Sequence, residues 1–189
     1  MKSYLYLLFP ALLLAGCAEL GLQRSKADAD QPTWEEAASN EFTPTNYRAA
    51  NDLINQVTGK GSLDTDRPLI IATLVDINAL EQSSTLGRMV AEQISGQFSR
   101  RGFQMIEMKF RDSVFVKQNV GELLLTREIK ELAHAHKAQA VIVGTYAEST
   151  RLVFINLKVI RPTDNIVLAS YDYAVPVNKG MRSLLKNRQ

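Results

Sequence analysis

Apolar positions recur along this chain with different periods, and each period predicts a different kind of element. Lys2, about a dozen mostly apolar residues and then small residues before Cys17 form the layout of a secretory signal peptide. Residues 18–44 are polar, contain Pro32 and Pro44 and hold no sustained period, which reads as a flexible tether. Trp34 and Phe42 are its aromatics, expected against the folded domain. From Thr45, a candidate N-cap, the helical period begins: Tyr47, Ala50, Leu53, Ile54 and Val57 share one face, and Gly59 and Gly61 stop the helix. The run 69–75 (LIIATLV) is apolar at nearly every position, the pattern of a strand covered on both faces. A second helix follows, capped by Ser83 or Ser84, with Leu86, Met89, Val90, Ile94 and Phe98 as its buried stripe. Arg88 and Glu92 form an i,i+4 pair on its wet side, Gly102 closes it, and 103–110 is the next strand.

Residues 111–125 fit either a short strand around Ser113-Val114-Phe115-Val116 or a loop carrying apolar anchors. Thr126 caps a third helix with Ile129, Leu132, Ala133 and His136 on one side, and 140–146 (AVIVGTY) is a second apolar strand. Strict alternation then takes over. Val153, Ile155, Leu157 and Val159 face one way, with Asn156 and Lys158 opposite. Pro162-Thr163-Asp164-Asn165 is turn chemistry, and the returning strand sets Val167, Ala169, Tyr171, Tyr173 and Val175 against Ser170 and Asp172. Strands alternating with helices pair in parallel through right-handed crossovers, and the hairpin adds antiparallel strands at one side. The expected fold class is α/β: a single mixed sheet of about five strands, with a parallel βαβαβ core, a C-terminal hairpin and packed helices. The expected domain plan is a signal segment 1–16, a lipidated start and tether 17–44, an α/β domain 45–177 and a basic tail 178–189.

Composition changes this picture little. The 189 residues suit one domain, and the 46% hydrophobic and 22% charged fractions are those of an ordinary globular protein. Charge is unevenly placed. Residues 18–44 hold six acids and two bases (−4), and 178–189 hold Lys179, Arg182, Lys186 and Arg188 with no acid (+4). The body between is close to neutral, which argues against a nucleic-acid partner. As a coil the tether spans on the order of 30 Å, and fully stretched roughly 90 Å.

Candidate chemistry is sparse. His134 and His136, the two histidines, stand i,i+2 on a helix and so face different ways, which does not make a zinc pair. His136 is expected at the core margin and His134 in solvent. Gly59-Lys60-Gly61-Ser62 lacks the spacing of a phosphate loop, and Ser83-Ser84-Thr85 reads as capping. Asp76 follows the first buried strand, where ligands of parallel sheets gather. Arg111 and Asp112, with Tyr146 and Glu148, would share that edge, as a cleft or as a structural pairing of Asp76 with Arg111 and loop caps. Arg100 and Arg101 serve the negative end of their helix. In the tail, Met181, Leu184 and Leu185 interleave with Lys179, Arg182, Lys186 and Arg188: a short amphipathic helix for a partner or an anionic surface, or a frayed terminus. No enzyme activity, metal, cofactor or small-molecule substrate is expected.

Leu14-Ala15-Gly16-Cys17 resembles the lipobox of bacterial lipoproteins. The resemblance implies cleavage before Cys17, the chain's sole cysteine, and its acylation, leaving no thiol for a disulfide. Ala18 in place of aspartate fits the outer-membrane sorting rule, so acyl chains on Cys17 would hold the protein on the outer membrane, facing the periplasm. Five strings occur in order: Thr73-Leu74-Val75-Asp76, Leu86-Gly87-Arg88, Arg101-Gly102-Phe103, Leu125-Thr126-Arg127-Glu128 and Gly144-Thr145-Tyr146. Together they resemble the FlgO domain family of outer-membrane lipoproteins associated with the flagellum, over roughly residues 69–177. That resemblance implies an accessory structural role beside other flagellar ring proteins, as a single copy or a homo-oligomer, with no catalytic residues to carry over. It also implies kinship in fold with TolB-like and curli-secretion modules. The rival expectation is a binding module that regulates a cell-envelope enzyme such as a peptidoglycan synthase, or a secretion-system component.

Overall fold

In the computed structural model the run 69–75 divides into two strands, β1 (Leu69–Ala72) and β2 (Val75–Asp76), and the division organises the domain. Residues 32–80, 82–108 and 127–186 are described. They fall in two compact units, Met1–Ser39 and Asn40–Gln189. In the first, α1 (Trp34–Ala38) forms within the polar stretch read as irregular. The cause is local: Thr33 and Glu36 make a reciprocal capping box, which ties down two orphan amide donors. Trp34 there is 93% exposed, not buried.

The second unit opens with α2 (Phe42–Gly59), four residues earlier than an N-cap at Thr45 predicts. Pro44 sits in its first turn, where a missing N–H leaves nothing unpaired, and Asn40 Oδ1 accepts from the Phe42 amide at 2.9 Å. The helix buries Asn46, Ala49, Ala50, Leu53, Ile54 and Val57, and Phe42 packs at the core margin. Burying the larger aliphatic side chains stabilises the fold by about 1.5–3 kcal/mol each. Gly61, at φ 58°, ends the helix: the amides of Gly61 and Ser62 donate to Thr58 and Val57 carbonyls.

Next come β1, β2, α3 (Thr85–Arg100), β3 (Met105–Met108), α4 (Arg127–Ala135), β4 (Ala140–Glu148), β5 (Leu152–Ile160), β6 (Val167–Pro176) and α5 (Lys179–Leu185). The strand order is β3-β1-β4-β5-β6, with β2 paired to β4. Pairings among β1, β3, β4 and β2 are parallel, and those of β4–β5 and β5–β6 are antiparallel. This is the expected single mixed sheet. Because the chain leaves β1 first toward β3 and then toward β4, right-handed crossovers set α3 and α4 on opposite faces. The packing agrees. Leu69, Ile71 and Ile142 meet α2 and α3 on one face, whereas Ile70, Ala72, Val75 and Val141 meet Ile129 and Ala133 of α4 on the other.

Several local expectations change. Ser84 is the α3 cap, with its side chain accepting from the Gly87 amide. Phe103 does not begin β3. It closes a Schellman turn on Phe98 around Gly102 at φ 90°, and the two rings tilt together at 5.5 Å. Arg100, in the last turn of α3 as expected, also lies over the Tyr47 ring at 4.8 Å, and Arg101 donates to Asn51 Oδ1 at 2.9 Å, so both clamp α3 to α2 as well. His136, like His134, is exposed. In β6 a register shift opposite Val159 and Ile160 buries Leu168 beside Ala169 and turns Val167 outward.

The outer edge of β6 is guarded. Gln56 of α2 donates to the Ser170 carbonyl at 2.9 Å and accepts from its amide at 3.3 Å, as a neighbouring strand would. Period-two spacing places Pro176 at the same kind of edge position, with no N–H to offer. Gln56→Ala should therefore expose a pairing site, lowering stability by about 1 kcal/mol and raising self-association in light scattering at high concentration.

Candidate protein-interaction surface

The carboxyl ends of the parallel strands are where a ligand crevice is expected, because the chain turns in opposite directions on either side of β1. Here the chain itself fills that crevice. Leu74, 1% exposed, plugs it between β1 and β2, its amide facing the Gly87 carbonyl at 3.4 Å and its carbonyl accepting from Ser83 Oγ at 2.7 Å. Asp76 then turns onto its own loop: its Oδ1 accepts from the Asn78 amide at 2.8 Å, and its amide donates to Gln82. One oxygen of its carboxylate therefore caps its own loop. Arg111 and Asp112 lie outside the described residues, and so does any pairing of Asp76 with Arg111.

Tyr146 and Glu148 share this edge. Burial pushes the Tyr146 hydroxyl above the ordinary tyrosine range; a hydrogen bond with Ser84 opposes the shift, and the Asp76 carboxylate adds to it. A neutral phenol hydrogen-bonded to a helix cap is a structural tie between β4 and α3. Glu148 pairs with Arg182 of α5 at 3.7 Å, and Arg182 also donates to the Thr150 carbonyl at 3.0 Å.

That pairing decides the tail. Asn178 caps α5 through the Met181 amide at 2.8 Å; Met181 is buried, and Leu184 and Leu185 pack on the main core. The apolar side of α5 is therefore turned to its own domain, not presented to a membrane. Lys179 and Lys186 stand on its exposed side, and Arg188 lies outside the described residues, as does Cys17. Among the described residues no group of three or more histidine, cysteine or acidic side chains could hold a metal, and no helix is long and apolar enough to cross a membrane.

The surface that sequence reasoning missed lies on the α4 side of the sheet. Helix α4 covers the half built from β1 and the start of β4. Across the other half runs a shallow groove of about 390 Å³, with Ile77, Ala147, Phe154 and Ala174 as its apolar lining and Asn156 and Asp172 at its polar end. Phe154 is 52% exposed and Ile77 50%; Leu152, on the same side of β5, is 38% exposed. Asn156 donates to Asp172 across the strands, fixing the polar end. Parity contained the signal. Leu152 and Phe154 share their face with Asn156 and Lys158, so two large apolar residues stand where alternation calls for polar ones. An apolar groove bounded by a fixed amide and carboxylate has the make-up of a protein-contact surface, an apolar centre with a polar rim.

Comparison with known proteins finds distant structural likenesses and one family match. Among solved structures, the LpoB C-terminal domain from Escherichia coli aligns with TM-score 0.47 at 11% identity, covering 69% of this chain and 97% of that one. A PelC dodecamer from Paraburkholderia phytofirmans aligns at 0.40 and 11%, covering 64% and 79%. Lipoprotein GNA1162 from Neisseria meningitidis aligns at 0.38 and 14%, covering 60% and 82%. No curated protein matches the sequence. The family model described as FlgO protein matches residues 47–180, a span that begins in α2, contains every strand of the sheet and reaches the first turn of α5. With its sheet and the helices of both faces inside that match, this chain belongs to the FlgO protein family.

Proposed function

We propose that this protein is an accessory lipoprotein of the outer membrane that supports flagellar assembly and motility by protein–protein contact, without catalysis. The observation that carries this reading is the apolar groove around Ile77 and Phe154, a surface built for contact and lined by backbone-fixed strands. Membership in the FlgO family supports the envelope and flagellar setting. The sequence around Cys17 supports acylation, and the stretch after it supports a leash. Two acyl signals hold a protein on a bilayer where one is marginal, since each buried CH₂ contributes about 0.8 kcal/mol. Confinement to one surface then raises the local concentration of grooves for weak contacts.

The test is an Ile77→Asp/Phe154→Asp strain compared with the parent, a deletion strain and a Cys17→Ser strain. The substituted side chains are half exposed, so the protein should accumulate normally. The expected result is loss of at least half of the swimming-zone diameter, with fewer intact basal bodies in electron micrographs, approaching the deletion. Normal motility in the deletion strain, with the protein well expressed in the parent, would sink the reading.

A further inference from the structure

On the opposite end of the sheet, below the last turn of α4, is a second pocket, of about 420 Å³, whose chemistry differs from the groove. Its volume lies within the ~300–1,000 Å³ of small-molecule sites. Lys130 and His134 stand i,i+4 on one side of α4, Lys137 follows in the turn that ends it, and Arg67 joins them from the loop before β1. Ala133, Ala138 and Pro162 contribute apolar surface, and Thr163 adds a hydroxyl. Among the described residues no carboxylate lines it. Among the described residues no ion pair engages any of its four basic side chains.

Each wall is held by its own hydrogen bonds. The buried Gln139 side chain accepts from the Asp64 amide at 2.8 Å and donates to the Arg67 carbonyl at 2.7 Å, fixing the loop that carries Arg67. Asp64 Oδ1 in turn accepts from the Asp66 amide at 3.0 Å, so this neighbouring carboxylate is engaged locally. On the far wall Asp164 pairs with Arg161 at 3.2 Å and accepts from the Ile166 amide, which locks the Pro162–Thr163 turn. The floor is the end of α4, where the amides of Lys137 and Ala138 donate to His134 and Ala133. That Schellman turn has Lys137 at φ 53°, a position that favours glycine. A lysine held there against backbone preference adds a cation where stability alone would not place one.

We propose that this pocket binds a phosphate ester: the basic side chains and Thr163 take the oxyanion, and the alanine and proline surface takes the organic part. Several donors converging on one group suit a phosphate better than a single carboxylate. The phosphate could belong to a soluble ester or to a phospholipid headgroup, and the chemistry recognised is the same.

The test uses the full chain in neutral-detergent micelles, with backbone amide shifts followed by NMR at constant ionic strength. Glycerol 1-phosphate is titrated in one arm; in the other the micelles are doped with phosphatidylglycerol or, as control, phosphatidylcholine. The amides of Lys130, His134, Lys137 and Thr163 should shift in at least one arm, and Arg67→Ala and Lys137→Gly should each weaken the response about tenfold. Lys137→Gly separates binding from folding, because glycine suits the backbone there and the variant should melt at a higher temperature while binding less. Response to glycerol 1-phosphate alone assigns a soluble ester; response to phosphatidylglycerol alone assigns a headgroup. Absence of pocket shifts in both arms, or shifts that both variants retain, overturns the proposal.

Discussion

Gly87→Ala should destabilise the domain by about 3–5 kcal/mol, a large fraction of the roughly 5–15 kcal/mol that holds such a fold together. A methyl group at Gly87 would sit 2.3 Å from the Leu74 carbonyl oxygen and 2.8 Å from Ser83 Oγ. Both contacts are far inside van der Waals distance, and the nearer one is backbone, which cannot swing aside. Relief would require α3 to back away from the gap between β1 and β2, pulling the Ser84 cap and the Leu74 plug apart. Gly96, in the same helix, is the control: nothing lies within 4 Å of a methyl group there. Gly96→Ala should instead stabilise by about 0.5–1 kcal/mol, since alanine is the better helix former. Urea unfolding of both variants checks the contrast. Equal and small effects at the two glycines would mean that the close approach at Leu74 is wrong.

The second large effect is expected at a buried polar chain linking three elements. Asn46 of α2 has no exposed surface, and its Nδ2 donates to Gln93 Oε1 of α3 at 2.5 Å. Its Oδ1 accepts from the Tyr173 hydroxyl of β6, and Gln93 passes the chain on to Thr43 Oγ1 at 3.1 Å. Asn46→Leu removes the buried member and leaves the half-buried Tyr173 hydroxyl and Gln93 carbonyl without these partners. Each orphan costs about 1–3 kcal/mol, so a total loss of about 2–4 kcal/mol is expected in urea unfolding.

The same tyrosine predicts a pH limit. Burial raises the Tyr173 hydroxyl well above the ordinary tyrosine range, with the nearby Tyr171 adding to the shift, and Tyr146 moves in the same direction. The neutral phenol is therefore favoured in the folded state. Its contribution is complete below the unfolded value of about 10 and is lost as pH rises from there toward the folded value. Stability should be level in this respect up to about pH 9.5 and fall above pH 10. Tyr173→Phe, less stable at neutral pH, should show a shallower alkaline decline. An identical decline in the variant would place its cause elsewhere.

The strings that resemble the FlgO family acquire a physical meaning in three dimensions. Leu74 from the first string is enclosed by Gly87 from the second and Gly144 from the fifth, where an added methyl group would lie 2.7 Å from Leu74 Cγ. The third string is the Schellman turn that sets Phe103 against Phe98. Separate letters in the chain thus serve one joint: a break in a strand, filled by a leucine and closed by two bare backbones.

Period and parity by themselves determined the α/β class, the parallel core, the hairpin and most of the buried faces. A helical stripe or an alternating strand states locally which side must leave water, as Val90, Ile94 and Phe98 or Val153, Ile155 and Leu157 do. They could not determine that the run 69–75 breaks, because an apolar run reads the same whether its middle residue continues a ladder or plugs a crevice. Nor could they decide what the tail faces, since Met181, Leu184 and Leu185 would suit a membrane as well as the domain. Tertiary packing decided both: burial of apolar surface is non-directional, and the surface that received these residues lies far away in the chain. The two candidate sites arose in the same way. Phe154 and Ile77 became a groove because α4 covers only part of its face of the sheet, and Arg67 joined Lys130 and Lys137 because the start of β1 lies beside the end of α4.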